Sequence, residues 1–91
     1  MLFVTLLKSR ASTSKERIAR RLEWQYPEGV QVVAEYWLQT PDPSVVVVSE
    51  ADSIGPIMAA SAPWEDVFDI TVIPAVTAEE GMAIARKSMS T

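Results

Sequence analysis

Five side chains have types and positions that could build a small-molecule site: Thr5, Glu35, Trp37, Asp69 and Thr71. Each falls on the more polar register of an otherwise apolar, alternating segment, so a sheet would carry them on a shared face, pointing away from its covering helices towards a cavity inside a dimer. A carboxylate enclosed by apolar walls has a raised pKa and can act as a base. Glu35 or Asp69 is then the candidate to abstract a proton from a carbonyl compound without any cofactor. The competing reading places both at strand ends, hydrated or bonded across an interface, because structural ion pairs perturb carboxylates in the same way. A second group is cationic. Lys15, Arg17, Arg20 and Arg21 crowd one short segment and form a candidate surface for an anionic partner. Arg17 and Arg21, four residues apart, repel one another on a helix unless something neutralises them. The pairs Glu65–Asp66 and Glu79–Glu80 could attract a hard cation, but adjacent carboxylates in a loop or at a helix start are ordinarily solvated. No metal ligand set, cofactor or catalytic residue is assigned.

What is missing narrows the chemistry further. The 91 residues contain no histidine, no cysteine and no asparagine. Imidazole acid–base work, thiolate nucleophiles, disulfides and the usual nitrogen or sulfur metal ligands are all excluded together. Three glycines stand far apart, at 29, 55 and 81, so no glycine-rich phosphate loop exists. The opening MLFVTLLK is apolar but lacks a basic leader, and Lys8 interrupts it too early for a signal peptide. No apolar run approaches the roughly 20 residues of a membrane helix. The chain therefore reads as a cytoplasmic, membrane-free protein. Its net charge of −4 is unevenly placed, with six cations and one acid in residues 1–21.

The elements that must position these groups follow from periodicity and turn chemistry. Residues 1–8 alternate as a strand, with Leu2, Val4 and Leu6 on one face and Phe3, Thr5 and Leu7 on the other. Thr13 and Glu16 form a capping box for a helix over 14–25, whose narrow apolar stripe is Ile18 and Leu22 with Ala19 beside them. YPEG ends it, and a second strand spans 30–38. TPDPS then turns the chain directly into VVVV at 45–48, which implies an antiparallel hairpin. A second helix begins at Asp52 or Ser53, with Ile54, Ile57 and Met58 as its buried stripe and Pro63 as its stop. A fourth strand covers 67–73, with Phe68, Ile70 and Val72 on one face and Asp69, Thr71 and Ile73 on the other. A last helix starts after Thr77, which forms a second capping box with Glu80, and runs to about Lys87, with Met82 and Ala85 as contacts. The order β-α-β-β-α-β-α over 1–91 is a single α+β domain of the ferredoxin-like βαββαβ kind, with two helices on one face of a four-stranded antiparallel sheet.

That arrangement leaves a problem. Two helices cover one side of a sheet, yet strands one and three are apolar on both sides. Monomers seldom leave such a surface bare. A second copy, joined face to face in a two-fold dimer of the α/β-barrel kind, would cover it. The alternative cover is the last helix, folded over its own sheet, but its apolar stripe is thin.

The stretches PEGVQVVAEYW (27–37), VVVVSEADS (45–53) and FDITVIPAVTAEEGMAI (68–84) resemble a family of unknown function, DUF3303, within the dimeric α/β-barrel superfamily. The shared features are the Pro-x-Gly turn, Tyr36, the Glu-Ala-Asp after strand three, Trp64, and the Phe-Asp-Ile to Pro-Ala-Val end of strand four. The resemblance covers nearly the whole chain and implies the fold, with a cavity between helices and sheet or inside the dimer. A histidine often follows the strand-two aromatic in that family. Trp37 stands there in this sequence, so no histidine chemistry carries over.

Residue types also exclude several occupants of this fold. A copper carrier needs a CxxC pair, an acylphosphatase needs an asparagine, and a phosphohistidine enzyme or histidine-ligated haem needs the missing imidazole. Sheet-based RNA binding needs stacking aromatics on strands one and three; Phe3 is available, but strand three offers only valine. The sequence thus points to a homodimeric small-ligand-binding or interaction module without evident catalytic machinery. A cofactor-free isomerase or monooxygenase-like enzyme using Glu35 or Asp69 is the first alternative. A docking subunit using its basic first helix is the second.

Overall fold

The computed structural model describes residues 1–90. Strand β1 (Leu2–Ser9) leads to helix α1 (Ser14–Glu23), β2 (Gln31–Trp37), β3 (Val45–Glu50), helix α2 (Ile54–Ser61), a short 3-10 turn (Ala62–Trp64), β4 (Phe68–Ala75) and helix α3 (Ala78–Met89). The four strands form one antiparallel sheet in the order β2-β3-β1-β4. This is the expected ferredoxin-like α+β architecture with an added C-terminal helix.

The faces of the sheet are set by register. Thr5 lies opposite both Val47 and Val72, and Leu7 opposite Val45 and Ile70, so these residues share one face with Phe3 and Phe68. That face is the buried one: Phe3, Thr5, Leu7, Val47, Ser49 and Phe68 are all buried. Leu2, Val4 and Leu6 lie on the other face with Val46, Val48 and Ile73. Strand β4 follows plain alternation. Strand β2 does not, because its register slips between Val32 and Ala34. The extra residue, Val33, is a bulge. Val32 lies opposite the inward Ser49, Ala34 opposite the outward Val48, and Glu35 opposite the inward Val47. The bulge therefore turns Glu35 and Trp37 towards the helices and Ala34 and Tyr36 away from them.

The helices depart from their expected packing. Thr13 caps α1, accepting the Glu16 backbone N–H at 3.2 Å, but the Glu16 carboxylate accepts from the Ser12 hydroxyl instead of closing a full capping box. No residue of α1 is buried; Ile18 and Leu22 are exposed. What holds α1 over the sheet is arginine. Arg20 pairs with Asp66, Arg21 pairs with Glu35, and the Arg17 guanidinium lies 5.7 Å from the Phe68 ring centre. In α2 the buried pair is Ile57 and Ala60, whereas Ile54 and Met58 are exposed. Helix α3 is capped by Thr77, which accepts from the Glu80 N–H at 3.1 Å, yet it buries no residue and Met82 is half exposed. It makes no extensive contact with the sheet. The expected contacts of Met82 and Ala85 are thus not made, and α3 does not cover the open face of its own sheet. The chain is long and thin, 53 × 28 × 17 Å.

Gly29 supplies the turn into β2. Its φ of +92° is a conformation that side chains resist, and an added Cβ would stand 3.2 Å from the ring of Pro56. Among the described residues no helix is long and apolar enough to cross a membrane.

Candidate functional site

The gap between α1 and the sheet is a cavity of about 230 Å³. A helix whose inward face is built of long arginines stands away from the sheet, where an apolar stripe would have closed onto it. The floor comes from β1 and β3, through Thr5, Leu7, Val45 and Val47. Ile57 and Ala60 of α2 close one side, and Trp24, Trp64 and Phe68 close another. Trp64 and Phe68 are buried, and their ring centres lie 5.9 Å apart; Trp24 meets Trp64 edge-on at 5.6 Å and Tyr26 at 4.7 Å. The mouth is marked by the exposed lining residues Ser14, Ile18, Leu38 and Gln39.

One polar cluster stands in the wall. The Glu35 carboxylate accepts from Arg21 Nε and Nη2, both at 3.1 Å, from Trp37 Nε1 at 2.7 Å and from the Tyr26 hydroxyl. Burial alone would raise the Glu35 pKa. The hydrogen bonds from Arg21, Tyr26 and Trp37 outweigh it and hold the carboxyl below its ordinary range. The same contacts push the Tyr26 phenol the other way: burial and the adjacent carboxylate raise its pKa well above the usual value. Arg21 is held more firmly protonated, chiefly by its bonds to Glu35. A carboxylate with four donors and a lowered pKa is a fixed structural anion and a poor proton acceptor.

The five residues expected to share a site divide. Thr5, Glu35 and Trp37 line this cavity. They face the helices, not away from them as expected. Strand one is apolar on both faces, so alternation did not fix which side meets α1, and the bulge reversed strand two. Asp69 and Thr71 lie on the open face, opposite Lys8 and Leu6, and contribute nothing to the cavity. Asp69 pairs there with Arg10 at 3.2 Å. The basic residues of α1 are largely spent within the chain. Arg20 grips Asp66 through two bonds of 2.8 and 3.0 Å, Arg21 grips Glu35, and Arg17 donates to the carbonyls of Ala11 and Ser12, each at 2.8 Å. Lys15 is exposed. Sequence reasoning missed Tyr26 as a partner of Glu35 and Arg21 as its counter-ion. The signal was present in part, since two like-charged arginines four apart on a helix call for a neutralising acid.

No group of three or more acidic, histidine or cysteine side chains that could hold a metal ion exists among the described residues. Neither a curated protein nor a solved structure matches the chain. The family model for a domain of unknown function, DUF3303, matches residues 1–89, nearly the whole length whose strands and cavity are described above, and the chain belongs to that family.

Proposed function

We propose that the protein is a homodimeric module that binds a small ligand in the cavity between α1 and the sheet. The observation that carries the reading is the cavity itself: open on one side and lined by aromatic and aliphatic walls, with its one carboxylate fully bonded and so fitted to shape a pocket instead of moving protons. At about 230 Å³ it falls below the roughly 300–1,000 Å³ of drug-sized pockets, which fits a single-ring compound. The Glu35 enzyme reading is weakened by that same bonding. The Asp69 version is weakened by the residue's place on the opposite face.

A second copy is the partner we assign to the open face. Tyr36 and Ile73 are 59% and 41% exposed there, beside the half-buried Leu2, Val4, Leu6, Val46 and Val48. The chain's own helices leave this surface uncovered, and an apolar sheet face of that kind marks an interaction site. The paired faces need about 800 Å² from each partner for a standard interface. Light scattering at micromolar concentration should give twice the 10.0 kDa chain mass. Val48→Asp should reduce it to the chain mass while leaving the fold intact by circular dichroism. A wild-type particle at the chain mass sinks the dimer, and a thermal-shift series of single-ring compounds with no response sinks ligand binding.

A further inference from the structure

The charged groups around the cavity do not cancel, and the remainder names a ligand class. Three charged residues line it: Arg17, Arg21 and Glu35. Arg21 and Glu35 neutralise one another. Arg17 has no carboxylate partner among the described residues. Its Nη1 donates to two backbone carbonyls and its Nη2 to the Ser14 hydroxyl at 3.3 Å, which leaves Nε–H and the second Nη2–H without an acceptor among the described residues. Arg17 is half-buried as a residue, and its guanidinium is held over the Phe68 ring, which together with these bonds fixes it in place. Ser12, whose carbonyl helps fix it, sits at φ 72°, a conformation unusual for a serine. Deeper in the cavity, Thr5 is 7% exposed, lines the space, and its hydroxyl makes no hydrogen bond among the described residues. An apolar cavity with one uncompensated cation at its edge and one free hydroxyl on its floor is incomplete without a ligand that brings a negative charge.

We propose that the cavity takes a small aromatic carboxylate, its ring among Trp24, Trp64 and Phe68 and its carboxylate on Arg17. The aromatic walls favour a flat ring in edge or offset contact, and arginine favours a planar oxyanion that it can meet with two N–H groups. This inference rests on the cavity reading above and adds to it the charge of the ligand and the residue that recognises it.

The test compares phenylacetate with its neutral isostere phenylacetamide. All three tryptophans of the chain line the cavity, so intrinsic fluorescence reports binding directly. A charge-assisted hydrogen bond predicts that the acid binds at least about tenfold more tightly than the amide. Arg17→Gln should erase that ratio, and Arg17→Lys should keep part of it. Should Arg17→Gln fail to fold, added salt gives the same answer on wild type: it should weaken the acid and spare the amide. Equal binding of acid and amide overturns the ligand class while the cavity reading stands. No binding of either compound at millimolar concentration overturns both.

Discussion

Replacing Glu35 by glutamine should cost the fold roughly 2–3 kcal/mol at neutral pH, because charge-assisted hydrogen bonds each contribute about 1.5–3. The four donors on Glu35 set the constraint. A glutamine amide nitrogen at the Oε2 position would face Arg21 Nε and Trp37 Nε1, neither of which can accept. At the Oε1 position it faces Tyr26, whose hydroxyl can turn to accept, and Arg21 Nη2, which cannot. The second orientation is better, yet it still breaks the bidentate pair and leaves Arg21 without its anion. The Arg21 side chain is 32% exposed, so partial rehydration keeps the loss below that of a fully buried pair. For a chain of this length 1 kcal/mol moves the melting temperature by about 5 °C, so the variant should melt roughly 10–15 °C lower. The pH dependence supplies the sharper check. Glu35 has a folded pKa below its ordinary value, so its contribution is present in full above that value and lost as pH falls through the folded one. Wild type should therefore descend towards the variant in acid, and the gap between them should close. Thermal circular dichroism of both proteins at several pH values measures this, and the other carboxylates cancel in the difference. A gap that persists unchanged in acid, or is absent at pH 7, refutes the account of Glu35 as an ion-paired anchor.

The Tyr26 phenol should resist ionisation, since burial and Glu35 raise its pKa. In an alkaline absorbance titration one of the two tyrosines should ionise only well above the ordinary value of about 10, together with unfolding, because the stability the neutral phenol contributes is lost as pH rises through its folded pKa. Both tyrosines ionising freely in a folded protein would contradict this. Asp66→Asn removes the bidentate partner of Arg20, but in an exposed setting where ion pairs contribute little, so its melting temperature should stay close to wild type. A loss as large as that of Glu35→Gln would mean α1 hangs mainly on Arg20. Gly29→Ala must hold alanine at φ +92° and press its Cβ onto Pro56 at 3.2 Å. A destabilisation of about 1–2 kcal/mol in urea unfolding is expected, and an unchanged midpoint would show that the turn relaxes freely.

How much of this was legible in the sequence depended on whether a local pattern had one solution. FDITVI has one: its alternation put Phe68, Ile70 and Val72 inward and Asp69 and Thr71 outward, as the register of β4 has it. The caps at Thr13 and Thr77 and the TPDPS turn were equally readable, and with them the order of elements. LFVTLL has two solutions, because both faces are apolar, and only contact with the helices selects Phe3, Thr5 and Leu7 as the interior. VQVVAEYW hid its bulge, although the adjacent valines at 32 and 33 break strict alternation and hint at it. The apolar stripe of α1 was real but lost to tertiary context, since paired arginines hold the helix high enough to leave Ile18 and Leu22 in water. The Glu35 cluster joins residues 9 and 14 positions apart in different elements, and no spacing rule connects them.

The extra residue in β2 is a reserve of chain length. Deleting Val33 would set Val32 directly before Ala34, and simple pleating would then hold every later residue on its present side: Val32 in, Ala34 out, Glu35 in. Arg21 would keep its anion and the outer sheet would stay free of a carboxylate. The opposite outcome follows if the full-length strand pairs without its bulge: Ala34 and Tyr36 would look into the chamber, and Glu35 and Trp37 would look out across the exterior. A single-codon deletion at this point is thus absorbed by the strand, whereas flattening the bulge with all residues kept would alter ligand charge preference and self-association together.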